Sequence, residues 1–437
     1  MTSRPPKPRP TRLLPALAAA GVLAACGGAN EPAADRHDHG HDHAHLETAG
    51  RLAVADAGQP TLRLFDLDAQ PPLAHAFMLD DVPSALYASP GDRYVLAYQP
   101  DRVQFVDGGI FQEPHGDHDD DRKIDPGLVP WRLTGTRPAH YDLQAGLQAA
   151  VFMDGSASET PVQPASVQIV TDGSIAAGQV RASLDYAEPL HGLAEPVGDF
   201  LFAASRAADA PDALPTHLEQ FRRDGAAYAA VRQVPTRCNS MHGSFAAQRF
   251  IVAGCEDGVL AVALDDDGSF TDRKITTPLR VGTIAGHPAS GAQFVAIANE
   301  GSPPNQTTRF FAVDAIAGTA APLLPQGWRD GRVRRAHVFD RSGERLFVLD
   351  DEGTLYVLQR SGSAWSTAAR LPGTIPEMPP AAPWPALAAS GARDEIYLSD
   401  PQAQRIRVLD AISGTQRSEF GLGYTPSALA WVGIRRH

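Results

Sequence analysis

Three stretches of the chain share one pattern, and they read PAHYDLQAGLQAAVFMD (138–154), PLHGLAEPVGDFLFAA (189–204) and SMHGSFAAQRFIVAG (240–254). Each contains a histidine, a short β-type run, a turn with Gly, Asp or Gln, and a second apolar run. The histidines are His140, His191 and His242, and they are 51 residues apart each time (191 − 140 and 242 − 191). Repeats of about 40–50 residues made of short strands are typical of β-propellers, in which each repeat forms one blade.

The number of blades follows from the number of inner strands, the first strand of each blade. Eight segments fit that role: VPSALYAS from 82, PAHYDL from 138, PLHGLA from 189, SMHGSF from 240, RVGTIAG from 280, RRAHVFD from 334, WPALAAS from 384 and TPSALAW from 425. We therefore predict an all-β fold, a single propeller over residues 51–437 with eight blades, or seven as the alternative. The last inner strand would pair with the strand starting at Arg51, so that both termini close the ring and remove its open edges.

The phase of the three histidines predicts a metal site. Inner strands line the central axis, so histidines at the same place on three successive blades point at one spot. Imidazole is a common zinc ligand, and three can hold one ion. For a single histidine the alternative is a hydrogen-bonded core residue. His337 is nearly in phase with the three, and His287 is expected in the turn after its strand.

A second cluster of ligand-type residues is EPHGDHDDDRKID (113–125), with His115, Asp117, His118 and Asp119. Imidazoles and carboxylates are ligands that zinc accepts, and a long loop within a compact fold is often functional. The alternative is a solvated acidic loop. Our strand count places it between the third and fourth strands of a blade, on the face opposite the starts of the inner strands. Either it folds back over the axis or it forms a second site.

The N-terminus has the features of an export signal. Basic residues precede an apolar run from Leu13 to Ala25, which is too short to span a bilayer because about 20 residues are needed. The end, Leu23-Ala24-Ala25-Cys26, resembles the lipobox of bacterial lipoproteins. This implies a signal peptide over 1–25, lipid on Cys26 and a position at the outer rather than the inner membrane. The alternative is an ordinary signal peptide that contains a cysteine.

Residues 26–50 are predicted to form a disordered tether, because their composition cannot bury a core. The tether contains HDHGHDHAH, which places histidines at alternate positions: His37, His39, His41, His43 and His45. Tracts of this kind bind zinc and similar metals weakly. The alternative is a solvated polar linker.

Cys238 and Cys255 are the remaining cysteines. In an exported chain two cysteines on neighbouring antiparallel strands predict a disulfide. Metal binding by the two thiols is the alternative, although CxxC spacing is absent.

Composition narrows the range of functions. A net charge of −13 disfavours nucleic acid and anionic membrane surfaces as partners, so membrane contact is expected only through Cys26, and we expect a monomer. The sequence contains no HExxH, GxSxG, P-loop or CxxCH motif. We therefore predict no enzymatic activity. A metal-dependent propeller hydrolase or lactonase is the alternative, with Asp117 or Asp119 as general base.

Several motifs together resemble the AztD-type periplasmic zinc metallochaperones: HGDH (115–118), PAHY (138–141), LHG (190–192), MHG (241–243), GCEDGVL (254–260), RVGTIAGHP (280–288) and YLSDPQAQRI (397–406). The similarity extends over nearly the whole mature chain. Two features depart from the family: LHG stands where paired histidines are expected, and the lipobox is not needed by a soluble chaperone.

The resemblance implies a β-propeller that binds Zn²⁺ and hands it directly to the solute-binding protein of a zinc ABC importer. By motif, the implied ligands are His118, His140, His191 and His242, with Asp117 or His115 next. Known propeller lactonases present Glu, Asn and Asp to a calcium-like ion, whereas a histidine-rich axis favours zinc.

Overall fold

The structure, a computed structural model, describes residues 46–116, 118–206 and 214–436. Strands dominate it, and they form eight antiparallel units of four strands and one two-stranded hairpin. Two of the units are joined at their outer strands by a parallel pair, Ser183 with Ala227, into one eight-stranded sheet. All inner strands start at the same face of the ring. We call this the front face, and the opposite one the back face.

The strands follow the chain blade by blade. Blade 1 contains β1 (Arg51–Asp56), β2 (Thr61–Asp66) and β3 (Leu73–Met78). Blade 2 contains β4 (Ala85–Ala88), β5 (Tyr94–Gln99), β6 (Arg102–Asp107) and β9 (Gly127–Thr134), with the inserted hairpin β7 (Ile110–His115) and β8 (His118–Lys123). Blade 3 contains β10 (Pro138–Gln144), β11 (Gln148–Met153), β12 (Ser166–Val170) and β13 (Ala182–Asp185). Blade 4 contains β14 (Ala194–Val197), β15 (Phe200–Ser205), β16 (His217–Asp224) and β17 (Ala227–Gln233).

The second half of the ring repeats this order. Blade 5 contains β18 (Ser244–Ala247), β19 (Phe250–Cys255), β20 (Gly258–Leu264) and β21 (Phe270–Thr276). Blade 6 contains β22 (Val281–Ala285), β23 (Gln293–Glu300), β24 (Thr307–Asp314) and β25 (Thr319–Leu323). Blade 7 contains β26 (Arg334–Phe339), β27 (Arg345–Asp350), β28 (Leu355–Ser361) and β29 (Ala364–Leu371). Blade 8 contains β30 (Leu387–Ala389), β31 (Glu395–Asp400), β32 (Arg405–Asp410) and β33 (Gln416–Gly421), and β34 (Pro426–Val432) ends the chain.

Both termini close the ring. Strand β34 is the inner strand of blade 1 and pairs antiparallel with β1, so that Arg51 lies opposite Val432. The indole Nε1 of Trp431 donates to the Ala49 carbonyl at 2.8 Å. Gly50 has φ +82°, and a Cβ there would lie 2.6 Å from the Trp431 ring, so this approach requires glycine. The predicted eight-bladed propeller with a closure by both termini is therefore confirmed.

The core consists of layers between adjacent blades. Every residue of the second strands β5, β11 and β19 is buried, because each faces a neighbouring blade on both sides, and such strands are apolar along their length. Outer strands are half solvated, as in β29, where exposed and half-buried residues alternate. A fully buried Leu or Phe stabilises the fold by roughly 1.5–3 kcal/mol, so these layers hold the inner strands in place.

Helices are minor elements of the described residues. One α-helix, α1 (Asp172–Ala176), is capped by Thr171 and lies in blade 3, and a 3₁₀ turn spans Pro288–Ser290. Within the described part of the chain, no helix has the length and apolar character needed to cross a membrane.

Candidate metal centre

Three histidines of neighbouring blades meet at the front face near the axis. His140 is the third residue of β10, His191 lies three residues before β14, and His242 lies two residues before β18. These positions are the openings of the inner strands of blades 3, 4 and 5. One ligand nitrogen from each imidazole lies within 4.8 Å of the other two. We call this set the axial triad.

The spacing within the axial triad fits a metal ion. The Nε2 atoms of His140 and His191 are 3.3 Å apart. The ring centroid of His242 lies 5.4 Å from that of His140 and 5.3 Å from that of His191. Zinc binds imidazole nitrogen at about 2.0–2.1 Å in tetrahedral geometry, which puts two ligand nitrogens roughly 3.3 Å apart. The triad therefore needs little movement to hold Zn²⁺.

Two of the imidazoles are oriented by hydrogen bonds to their Nδ1 atoms. The Nδ1 of His242 lies 2.8 Å from the Gly282 carbonyl oxygen, which can only accept, so Nδ1 carries the proton. The Nδ1 of His191 lies 2.8 Å from Asp154 Oδ2. Outer hydrogen bonds of this kind fix the tautomer and leave Nε2 free as a ligand. The triad is therefore arranged to present lone pairs to one point.

Asp154 contacts the candidate site and was not predicted from the sequence. It follows β11, the strand that pairs with β10, and it is only 4% exposed. Its second oxygen, Oδ1, is buried and has no hydrogen-bond partner among the described residues. The sequence feature that could have identified Asp154 is its position directly after β11, the strand that pairs with the strand of His140.

The glycines after His191 and His242 explain the two HG motifs. A Cβ on Gly192 would lie 2.6 Å from the Phe152 ring. Gly243 has φ +69°, and a Cβ there would lie 2.8 Å from the Gly282 oxygen. Side chains at these positions would therefore push the histidine loops away from their neighbours.

Burial favours the neutral form of two of the imidazoles, His140 and His242. Burial, and after it the potential positive charges of the nearby His191 and His242, lower the pKa of His140 to about 3. Burial also lowers the pKa of His242. Because metal binding requires neutral imidazole, both shifts favour the form of these rings that can bind a metal ion.

The predicted disulfide is present and anchors the His242 loop. Cys238 and Cys255 are bonded, with Cα atoms 5.0 Å apart. Cys238 lies in the loop before β18 rather than at the start of that strand, as the sequence suggested, and Cys255 ends β19. The backbone N–H of His242 donates to the Gly254 carbonyl at 3.1 Å, so the loop is fixed to β19 by a covalent and a hydrogen bond.

The acidic loop of blade 2 forms a second cluster, which we call the hairpin cluster. Ligand atoms of His115, His118 and Asp120 lie within 4.8 Å of one another. The Nδ1 of His115 is 3.1 Å from Asp120 Oδ2, and the Nε2 of His118 is 3.4 Å from Asp120 Oδ1. The hydrogen bond from His115 lowers the pKa of Asp120. Asp120 was not among the candidates named from the sequence, although five aspartates in this loop made a carboxylate ligand plausible.

The two clusters lie on opposite faces. The hairpin joins the third and fourth strands of blade 2, which meet at the back face. The Ile124 carbonyl, just after the hairpin, accepts a hydrogen bond from Arg51 Nη1 at 2.9 Å. Arg51 lies opposite Val432, at the back end of β34. Of the two arrangements that the sequence left open, the structure has two separate clusters. His118 accordingly lies with His115 and not with the axial triad. Asp117 is outside the described residues.

The other histidines considered from the sequence have structural partners. His337 lies in β26, away from the triad, and its Nδ1 is 2.7 Å from Arg334 Nη1. His287 caps the 3₁₀ turn after β22, where its Nδ1 accepts from the Ala289 N–H at 3.1 Å, as predicted. The signal region with Cys26, and the tether histidines at 37–45, lie outside the described residues.

Comparison with known proteins agrees with this picture. No protein-family model matches the chain. The chain is 25% identical over 400 residues to the zinc chaperone AztD of Citrobacter koseri, covering 88% of this chain and 87% of that protein.

Solved structures show the same fold. A crystal structure of C. koseri AztD has a TM-score of 0.69 at 22% identity, covering 89% of this chain and 99% of that one. The apo form of the same protein has a TM-score of 0.67 at 22% identity, covering 87% and 97%. The dihydro-heme d1 dehydrogenase NirN has a TM-score of 0.55 at 13% identity, covering 89% and 76%. The resemblance to AztD-type proteins predicted from the sequence motifs is thus confirmed, since this chain is similar to AztD over nearly nine-tenths of its length.

Proposed function

We propose that this protein is a zinc chaperone whose axial triad holds the ion that it delivers. The observation that carries the proposal is the convergence of His140, His191 and His242, with two Nε2 atoms 3.3 Å apart. Two of these rings are oriented by outer hydrogen bonds. The similarity to the zinc chaperone AztD supports the same reading.

Release of the zinc ion depends on the number of protein ligands that hold it. Three imidazoles leave one position of a tetrahedral zinc ion open. A donor atom of an acceptor protein enters that position at the front face, and the histidines are then replaced one at a time. We propose that the acceptor is the solute-binding protein of a zinc ABC importer, and that transfer occurs within a complex of the two proteins.

The hairpin cluster and the tether have supporting roles in this proposal. His115, His118 and Asp120 offer two imidazoles and a carboxylate, a mixture that zinc accepts. The side chain of His115 is 69% exposed, so this site is expected to bind more weakly than the axial triad. The five tether histidines raise the local zinc concentration near the folded protein.

The location proposed is the periplasm. The basic and apolar residues before Cys26 are typical of an export signal, and a disulfide persists in an oxidising compartment. Lipid on Cys26 would hold the protein at a membrane, the outer one in preference. We propose that it acts there as a monomer.

Hydrolysis is the second candidate function, because three imidazoles and an open position also suit a zinc-bound water. Among the described residues, however, no fourth His, Cys, Asp or Glu belongs to the triad's cluster. The nearby carboxylate of Asp154 contacts His191 Nδ1 instead of joining the cluster. Release of nitrophenol from a chromogenic ester by the zinc-loaded protein, lost in His191→Ala, would favour this candidate.

A transfer assay tests the chaperone proposal. Zinc-loaded protein is mixed with a zinc-free solute-binding protein and an excess of strong chelator, and zinc on the acceptor is measured by native mass spectrometry. Direct transfer predicts that the acceptor gains zinc despite the chelator, at a rate that rises with acceptor concentration. Zinc that reaches only the chelator, at a rate independent of the acceptor, would contradict the proposal.

A further inference from the structure

A cavity of about 630 Å³ opens at the front face on the side of the ring away from blades 3 to 5. Its walls come from the inner strands of blades 1, 2, 7 and 8 and the loops before them. The polar and aromatic residues lining it are Ser84, Arg334, Arg335, His337, Trp384 and Ser427. The axial triad is not part of its lining.

The charge of this cavity is unbalanced. None of the described residues that line it is acidic. Within the described ranges, no carboxylate oxygen lies within 4.0 Å of the Arg334 or Arg335 guanidinium. By contrast, the sheltered guanidinium of Arg407 pairs with the buried Asp400 at 2.7 Å. The cavity therefore contains two cations and no described counter-charge.

The two guanidiniums are held in place by neutral groups. Arg334 Nη1 lies 2.7 Å from His337 Nδ1, which must accept because the guanidinium has only donors. Burial and the Arg334 charge lower the pKa of His337 to about 3, so this imidazole adds no charge. The Arg335 guanidinium lies 3.9 Å from the centroid of the Trp384 ring, a cation–π contact that fixes its plane.

Donor atoms remain unused in this arrangement. The Nε atoms of Arg334 and Arg335 are buried, and neither has a hydrogen-bond partner among the residues that the structure describes. Burial alone lowers the pKa of Arg334 to about 10. A buried cation without a partner is destabilising, and a guanidinium fork matches the oxygens of a carboxylate or a phosphate.

We propose that this cavity is a binding site for a small oxyanion, a carboxylate or a phosphate, held by Arg334 and Arg335. The donors favour an oxyanion rather than a halide, because each planar guanidinium offers a fork of N–H groups that matches two oxygens. The volume accommodates an organic acid as well as inorganic phosphate. The site is independent of the zinc site, since it shares no residue with the axial triad.

Isothermal titration calorimetry on the full-length, zinc-free protein tests the proposal. The probes are sodium malonate and sodium phosphate, with sodium chloride at equal ionic strength as the reference. We expect one malonate or phosphate ion per chain, and the probe that binds more tightly assigns the class of the ligand. Chloride that gives the same heats as both probes, or no heat from either probe, would overturn the proposal.

Variants localise the binding. Arg334→Gln should weaken binding of the preferred probe by about tenfold or more, as expected for the loss of a charge-assisted hydrogen bond. Arg335→Gln tests the same site independently if the first variant does not fold. Arg329→Gln is the control, because Arg329 lies in a loop of the same face, is 65% exposed and pairs with Glu352. Unchanged binding in both cavity variants would refute the assignment.

Discussion

Asp154 should set the zinc affinity of the axial triad although it does not touch the ion. Its Oδ2 accepts from His191 Nδ1 at 2.8 Å, and at 4% exposure water has little access to replace it. A hydrogen bond to a charged group contributes about 1.5–3 kcal/mol, and about 1.4 kcal/mol corresponds to a tenfold change in affinity. Loss of the carboxylate should therefore weaken zinc binding by roughly 10- to 100-fold, the range typical of such outer partners.

Two substitutions separate charge from hydrogen bonding at this position. Asp154→Asn keeps a neutral acceptor and should lie near the tenfold end, whereas Asp154→Leu has no acceptor and should lie near the 100-fold end. Affinity is measured by competition with a chromophoric chelator, and circular dichroism checks the fold. Asp199→Asn is the matched control, because Asp199 is 57% exposed and pairs with Arg223 rather than with a histidine. If both Asp154 variants bind zinc within twofold of the parent, the orienting role is wrong.

Three further predictions concern stability. Replacing Cys238 and Cys255 by Ala opens a loop with a sequence separation of 17. The free energy of unfolding should decrease by about 3 kcal/mol in the chain-entropy model. Unfolding of this variant in urea should no longer change when a reductant is added. Gly243→Ala should lower the stability and the zinc affinity, because the new Cβ meets the Gly282 oxygen. Gly225 is the control, since it also has a positive φ, +63°, but has open space around it. Gly225→Ala should therefore lower the stability only by the backbone strain of about 1–2 kcal/mol. Equal effects of the two would contradict the close approach. Burial lowers the pKa of His287 from 6.5 to about 4, so below pH 6.5 the unfolded chain binds a proton that the folded protein does not. Stability from this group is complete above pH 6.5 and falls by about 3 kcal/mol as the pH decreases to 4; His287→Asn, which can still cap the turn, should lack this loss in unfolding curves measured across that range.

The architecture was predictable because the repeat is visible in the sequence. In blades 2 to 8 the inner strand precedes a second strand with an apolar, buried centre, as Phe250–Cys255 follows His242, and this order recurs around the ring. The closing strand was recognisable because an inner-strand pattern at 425 had no following strand. The disulfide was predicted by placing the two cysteines on neighbouring strands, although Cys238 lies in the loop before β18.

The site was only partly predictable from the sequence. The position of a histidine within its repeat fixes its height along the propeller axis, but it does not fix its angle around that axis. His337 is nearly in phase with the triad, yet it lies in blade 7, two blades beyond His242, and each of eight blades turns the chain by about 45°. Asp154 reaches His191 through a loop whose course is not encoded in any periodicity. The position of His118 depended on whether the acidic loop folded back, which spacing alone does not determine.

Zinc stoichiometry and affinity of residues 46–437, measured under competition with a strong chelator, test the central claim most directly. This fragment keeps all described contacts and lacks the tether histidines. The account predicts one ion bound with a dissociation constant on the order of nanomolar or below, lost when His191 and His242 are both changed to Ala and retained when His115 and His118 are. Tight binding that survives the axial substitutions, or only micromolar binding in the parent fragment, would contradict the assignment of the zinc site to the axial triad.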